Sequence, residues 1–226
     1  MVDVSIVVPV WNRCDLTLQL LSGLRRFYSI RPQVEIVIVD NGSADGTIAL
    51  LAAWKRNLGG RLVVARNDAN RGFGPANNQG AALAKGDVLI FLSNDVVPLG
   101  DFLTPLVGVF ARKPTALAGA QLLDFDTGWN CFDGRVISYL AGWCLACTRA
   151  TWAALGGFDE RYTPCDYEDM DLSYAAQRQG RELVALDLPL RHTFGQTAMR
   201  LPGGRELHTV RNRDRFVAKW GLYDAQ

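Results

Sequence analysis

Two acidic clusters far apart in the chain carry the residue types that metal binding and proton transfer require. The first is Asp95, which follows an apolar run, Val88-Leu89-Ile90-Phe91-Leu92, and precedes Val96, Val97 and Pro98. Such a run reads as a fully buried strand of a parallel sheet, and its carboxyl end is where open α/β sheets bind ligands. A charge there is costly unless paired, and beside a nucleotide the usual partner is a divalent cation bridging diphosphate oxygens. Asp also starts turns ahead of proline, so a turn at Pro98 fits the same residues. The second cluster is Glu168, Asp169 and Asp171, with Asp166 just before them, at the start of a helix expected to run to Gln179 and stop at Gly180. The helix dipole and capping favour acids at that end. Four exceed what a cap needs, and their repulsion raises at least one pKa toward the range of a general base.

The elements that position these clusters are legible from periodicity. Val4 to Val10, Val34 to Val39, Leu62 to Ala65 and Val88 to Leu92 read as strands. Between them, Asp15 to Tyr28 carries Leu16, Leu20, Leu21 and Leu24 at helical spacing, Asp45-Gly46-Thr47 opens a helix to about Asn57, and Pro75 to Lys85 reads as a third. This alternation implies an α/β fold, an open and mostly parallel sheet flanked by helices. All four strand tips then lie on one edge, so Trp11, Asp40, Arg71 and Asp95 should converge on a crevice. The second half changes character: Leu122 to Arg135 reads as a loop, Val136 to Cys147 as β-like alternation, Gly156 to Asp159 as a turn and Leu183 to Leu186 as a short strand.

Composition bounds the function. A chain of 226 residues suits one sizeable α/β domain, residues 1–226, with a nucleotide-binding half at 1–98 and an acceptor-side, mixed β/α half at 99–226. The net charge of +1 offers no field for nucleic acid. The longest weakly polar stretch, Val136 to Cys147, is about a dozen residues and too short to span a bilayer, and the start lacks the basic segment of an export signal. Five scattered cysteines argue for a reducing, cytoplasmic setting. Cys144 and Cys147 form one CxxC, but zinc would need two further ligands and redox chemistry a helix start, so buried thiols are the simpler reading.

Six segments in order resemble the family 2 inverting glycosyltransferases of the GT-A fold: Ser5-Ile6-Val7-Val8-Pro9-Val10-Trp11-Asn12, Val37 to Thr47, Asn70-Arg71-Gly72-Phe73-Gly74-Pro75-Ala76-Asn77-Asn78, Leu92-Ser93-Asn94-Asp95, Gly156 to Glu160 and Tyr167 to Leu172. The resemblance implies a Rossmann-like sheet and a nucleoside-diphosphate sugar donor, UDP or dTDP first among them. Pro9, Trp11 and Asn12 would flank the base, Asp40 would accept from base or ribose, and Asn70, Arg71, Gly72, Asn77 and Asn94 would line the donor pocket. Asp95 matches the last acid of the family's DxD motif, which binds Mn²⁺ or Mg²⁺. Ser93 replaces the first, as in rhamnosyltransferase-like members. His192 matches a histidine that also ligates the metal. Asp169 matches the catalytic base, with Glu168 as the fallback and Asp171 supporting the helix. The acceptor implied is a glycan or a lipid-linked saccharide.

The chemistry explains two separated clusters. Inversion at an anomeric carbon needs a base to take the acceptor's proton on the side opposite the leaving diphosphate, and a cation at the diphosphate offsets the charge that develops there. Trp143 could stack on a sugar or belong to the core, and Trp129 and Phe132 could contact acceptor. Thr197 to Gly204 reads as a lid. Arg211, Arg213 and Arg215 with Phe216 and Trp220 form an amphipathic helix whose arginines are solvated or touch the diphosphate. Trp and Arg residues near the C-terminus are compatible with peripheral contact at the inner face of a membrane, and the chain with a part of a larger multidomain protein. A nucleotidyltransferase would want a Gly-, Arg- and Lys-rich loop after the first strand, where Trp11-Asn12-Arg13-Cys14 stands. No GxGxxG follows a strand, which sets aside a dinucleotide-binding dehydrogenase. A non-catalytic nucleotide-sugar or glycan-binding module is the remaining alternative, motivated by Ser93.

Overall fold

The strands of the first half are apolar at nearly every position, so both of their faces must be covered, and helices do the covering. The computed structural model describes residues 3–28, 31, 33–124, 131–132, 135–193 and 204–222. In chain order the first half comprises β1 (Val4–Val10), α1 (Cys14–Tyr28), β2 (Val34–Asp40), α2 (Thr47–Leu58), β3 (Leu62–Arg66), α3 (Phe73–Leu83), β4 (Val88–Leu92) and β5 (Val96–Pro98). The second half adds α4 (Leu103–Arg112), β6 (Leu117–Gly119), β7 (Leu122–Asp124), β8 (Cys131–Phe132), β9 (Arg135–Val136), β10 (Ser138–Leu140), β11 (Cys144–Thr148) and α5 (Arg149–Leu155). It ends with α6 (Glu168–Arg178), β12 (Leu183–Ala185), β13 (Leu190–His192) and α7 (Arg205–Trp220).

A seven-stranded sheet runs in the order β12-β6-β11-β4-β1-β2-β3. β4, β1, β2 and β3 are mutually parallel, β12 is parallel to β6, and β11 runs antiparallel between β4 and β6. The α/β architecture with a mostly parallel sheet is therefore as the sequence predicts, and this one sheet takes strands from both sides of residue 98. Alternate residues of each strand enter different cores. Ile6, Val8 and Ile90 pack with Leu20, Leu24, Phe102 and Leu106 on one face, while Val7, Leu89 and Phe91 pack with Ala81, Phe158 and Leu172 on the other. A third cluster, including Tyr162, Met170 and Phe216, seats α7 against the start of α6.

Several boundaries differ from the sequence reading. α3 begins at Phe73, two residues before Pro75, because Gly72 at φ +100° makes the turn that lets the helix start there. Residues 99–121, to which periodicity assigns no element above, form α4 and β6. The expected loop from Leu122 holds β7, which pairs with β10 in a separate two-stranded sheet. The expected continuous alternation from Val136 to Cys147 breaks at Ala141-Gly142-Trp143, and the strands on either side belong to different sheets. His192 ends its own strand, β13, which pairs with β5 rather than simply following the strand at Leu183. The CxxC spacing also resolves: Cys144 faces one core and Cys147 the other, since an odd separation on a strand puts side chains on opposite faces. Both thiols are fully buried and pushed up to about 12 by that burial, so they pack as small hydrophobes. Among the described residues no helix is long and apolar enough to cross a membrane.

α3 lies so close to the sheet that a methyl group at Gly80 would overlap Cγ1 of Val7, which is itself fully buried. Gly80→Ala is expected to destabilise the protein by about 1–3 kcal/mol through overpacking, read as a lower urea midpoint at unchanged m-value.

Candidate active site

At the end of β4 the chain turns through Ser93, Asn94 and Asp95, with the Val96 amide donating to the Ser93 carbonyl at 3.3 Å. The short strand β5 then pairs antiparallel with β13, with His192 opposite Val96. That register brings His192 Nε2 to 3.2 Å from Asp95 Oδ1. The Thr193 amide and hydroxyl both donate to the Asp95 carbonyl, at 3.0 and 2.7 Å, and lock the corner. Asp95 is thus a turn residue, as one of the two sequence readings has it, and it also lines the cavity. Its side chain is only 7% exposed.

The pair meets the geometric demand of a hard divalent cation. Two ligands on adjacent corners of an octahedron with bonds of about 2.1 Å stand roughly 3 Å apart, and Asp95 Oδ1 and His192 Nε2 are 3.2 Å apart. Among the described residues no group of three or more His, Cys, Asp or Glu could hold a metal. A cation here would therefore complete its shell with substrate oxygens and water, which is the habit of Mg²⁺ at phosphate sites.

Across the cavity the four acids around the start of α6 divide their work. The backbone enters the helix through Asp166 and Tyr167, both left-handed at φ +72° and +74°. Asp169 Oδ2 accepts from the Gly142 amide at 2.8 Å and Oδ1 from the Met170 amide at 2.9 Å. Burial pushes its carboxyl up to about 6, while those amides hold it down. Glu168 is 5% exposed and its Oε2 has no hydrogen-bond partner. Burial, then the charges of Asp169 and Asp166, push it well above the usual carboxylate range. Burial thus raises both carboxyls, and the two amides that donate to Asp169 oppose that rise at its side chain. Asp166 is taken by Arg205, whose Nε and Nη2 reach it at 2.6–3.1 Å, and by the Thr209 hydroxyl at 2.6 Å. Asp171 points away from the cavity: it accepts from Tyr162 at 3.1 Å, Trp220 Nε1 at 2.8 Å and Lys219 at 2.7 Å, and so bolts α7 to α6.

A cavity of about 300 Å³ joins the two ends. Asp95, His192, Glu168, Asp169 and Trp143 line it, and on the donor side so do Pro9, Trp11, Asn70, Gly72 and Asn94. Four residues assigned to the donor pocket lie outside the lining. Asn12 is spent on the backbone, accepting from the Ala44 amide at 2.8 Å. Asp40, 1% exposed, accepts from the Ser43 amide at 3.0 Å, with Arg66 Nε 3.9 Å from its other oxygen. Asn77 is fully buried and donates to the Phe73 carbonyl at 3.0 Å. Arg71 exposes its side chain and contributes only backbone, its carbonyl accepting from Thr163 at 3.1 Å.

Residues missed by the sequence reading take their place. Asn41, one past Asp40 and so on the cavity side, donates to Asn70 Oδ1 at 3.1 Å and the Gly72 carbonyl at 3.0 Å. Gln121, Tyr139 and Arg205 also line the cavity. The adjacency of Asn41 to a strand-end acid could have been read; Arg205 lies just after a stretch without periodicity and carried no signal. The arginines singled out instead turn away: Arg211 donates to the Thr163 carbonyl and Arg215 to the Arg161 carbonyl, both at 2.5 Å, so neither serves a diphosphate in this arrangement. Trp129, the Phe132 side chain and most of the segment Thr197 to Gly204 lie outside the described residues.

The model of the family described as Glycosyl transferase family 2 matches residues 5–142. The O-antigen biosynthesis protein RfbC of Myxococcus xanthus is 28% identical over 214 residues, covering 80% of this chain and 16% of that protein. The chain spans less than half the length of the curated relatives it matches. Among solved structures, the mannosyltransferase PcManGT of Pyrobaculum calidifontis, in complex with GDP-Man and Mn²⁺, superposes with a TM-score of 0.73 at 18% identity, over 96% of this chain and 63% of its own. GalNAc-T7 with UDP, GalNAc and Mn²⁺ gives 0.78 at 18% identity, over 96% and 48%. At that identity the two likenesses establish the fold.

Because Asp171 accepts from three donors in a buried setting, two of them, Lys219 and Trp220, on α7, Asp171→Ala is expected to cost about 3 kcal/mol, roughly 1 kcal/mol for each lost hydrogen bond. A urea melt of the variant beside wild type checks this; an unchanged midpoint would contradict the anchoring role.

Proposed function

The chain belongs to glycosyl transferase family 2, and from that premise we propose that it transfers a sugar, with inversion, from a nucleoside-diphosphate sugar to a hydroxyl of a glycan or lipid-linked saccharide. Asp169 is the base, and Asp95 and His192 hold Mn²⁺ or Mg²⁺. The observation that carries this reading is the presence, in one cavity, of an ionisable Asp169 on α6 and the Asp95–His192 pair at the tip of β4.

Pro9, Trp11 and Asn41 form the wall nearest the ends of β1 and β2, where the nucleotide enters the sheet edge. Asn70 and Gly72 shape that wall, and Gly72 cannot carry a side chain because Thr163 and Pro164 sit against it. When bound, the cation neutralises charge developing on the leaving diphosphate. Asp169 accepts the acceptor hydroxyl's proton on Oδ1 or Oδ2 while the Gly142 and Met170 amides hold the carboxylate in place. Glu168 beside it is pushed well above the usual carboxylate range by burial and by the charges of Asp169 and Asp166, which leaves Asp169, held by two amides, as the stronger candidate for the base.

The donor class is tested by thermal shift with UDP, dTDP, GDP and CDP, each with and without Mn²⁺, on wild type and Asp95→Ala. A ligand at a hundredfold excess over its dissociation constant stabilises by roughly 2.7 kcal/mol. A metal-dependent shift with one nucleotide, lost in Asp95→Ala, supports the reading. No shift with any nucleotide sinks the donor site and leaves a glycan-binding module.

Base catalysis has its own signatures. Asp169→Asn should lower kcat by about 10²- to 10⁴-fold with little change in donor binding. The folded pKa of Asp169 lies above its ordinary value, at about 6, so the active carboxylate is lost as pH falls through about 6. kcat/KM should therefore drop about tenfold per pH unit below that point, and a flat profile down to pH 4 would exclude Asp169 as the base.

A further inference from the structure

Trp143 sits between two strands of different sheets and touches both chemical ends of the cavity through its immediate neighbourhood. Its indole lies parallel to the His192 imidazole, centroids 4.9 Å apart and planes inclined by 10°. The indole is fixed in turn, since Nε1 donates to Gln121 Oε1 at 3.1 Å. Its carbonyl accepts from the Ser93 amide at 3.0 Å, two residues before Asp95. The preceding residue, Gly142, donates to Asp169, and a Cβ at Gly142 would stand 3.1 Å from that of Asp169. The short connector 141–143 is thus bonded to the strand tip that carries Asp95 and to the carboxylate of α6.

The His192 backbone is held by its pairing at the end of a three-residue strand, which does not itself fix the imidazole plane. A parallel aromatic face lies against the ring, and in that orientation Nε2 meets Asp95 Oδ1. We propose that Trp143 is a positioning residue: it holds the His192 ring at the angle at which His192 and Asp95 share one cation, and does not act by contact with sugar. This inference rests on the metal reading above. Aromatic support of this kind acts as outer-shell hydrogen bonds do, and removing such support typically costs 10- to 100-fold in metal affinity.

The test compares wild type with Trp143→Leu, which keeps apolar bulk without a ring face, Trp143→Phe, which restores a face, and His192→Ala. Mn²⁺ binding is read by electron paramagnetic resonance of the free ion, on the whole protein with Mn²⁺ alone. The His192 ring environment is read by metal-free proton–nitrogen spectra, which are assignable because the chain has 2 histidines. Expected are a 10- to 100-fold weaker Mn²⁺ affinity and a lost ring-current shift at His192 in Trp143→Leu. Recovery of both to within about threefold is expected in Trp143→Phe, with kcat in the Leu variant restored at saturating Mn²⁺. Mn²⁺ affinity unchanged in Trp143→Leu but lost in His192→Ala overturns the proposal and leaves the metal site standing. A raised donor KM that saturating Mn²⁺ does not repair also overturns it, in favour of direct sugar contact. If wild type binds no Mn²⁺, the metal reading fails and this inference falls with it.

Discussion

The structure depends on the cost of carrying carboxylates at the edge of a sheet where water is largely excluded. Asp95, Glu168 and Asp171 are each 6% exposed or less, and Asp169 lines the same cavity as the first two. Each must be offset, and each is offset differently: Asp95 by His192, Asp169 by two amides, Glu168 by a carboxyl pushed well above the usual range, Asp171 by a lysine, an indole and a phenol. An isolated buried charge is far costlier than any one of these contacts is favourable, so the partners are requirements of the fold as well as parts of a site. That is why elements remote in sequence are drawn together. β13 reaches β5 to supply the imidazole, α7 returns to α6 to satisfy Asp171, and Arg205 at its other end pairs with Asp166.

The same constraint separates two functions that one acidic stretch could have confused. Asp166, Glu168, Asp169 and Asp171 lie within six residues, yet the left-handed backbone at Asp166 and Tyr167 and the turn of α6 send them to different partners. Asp171 and Asp166 anchor α7, and Asp166 lines the cavity together with Glu168 and Asp169. Burial raises the carboxyls of Glu168 and Asp169, and two amide donors oppose that rise at Asp169. Asp166, which pairs with Arg205, thereby also shapes the electrostatics around Asp169.

What the sequence made legible was whatever local periodicity encodes. The parallel strands β1 to β4, their helices and the convergence of their tips follow from apolar runs of the right length; Asp95 was marked by its type and position, and Asp169 and His192 by the family motifs they resemble. The parts that were not legible are long-range. The pairing of β5 with β13 joins two three-residue strands some 90 positions apart, and nothing local distinguishes Val96-Val97-Pro98 from a turn. The choice between Asp40 and Asn41 turns on which way one residue faces at a strand end, a difference of a single step in a two-residue period. Asn12 and Asn77 have polar side chains of the right kind, but neighbouring backbone claims them, and Arg71 exposes its side chain while its carbonyl accepts from the Thr163 hydroxyl. The role of the break at 141–143 could not be seen, because alternation resumes on both sides of it.

On the proposed metal reading, Ser93 sharpens the dependence on His192. A carboxylate at position 93 would give the strand tip two anionic ligands and make the imidazole secondary. With serine there, whose amide is turned to the Trp143 carbonyl, the tip offers one carboxylate, and in the proposed site the second protein donor would come from β13. A two-ligand site tolerates less error in either ligand than a three-ligand site, since neither can compensate for the other. The elements that fix His192, namely the β5–β13 ribbon, the Thr193 contacts to the Asp95 carbonyl and the stacked indole, are therefore where a chain with serine at this position must concentrate its rigidity.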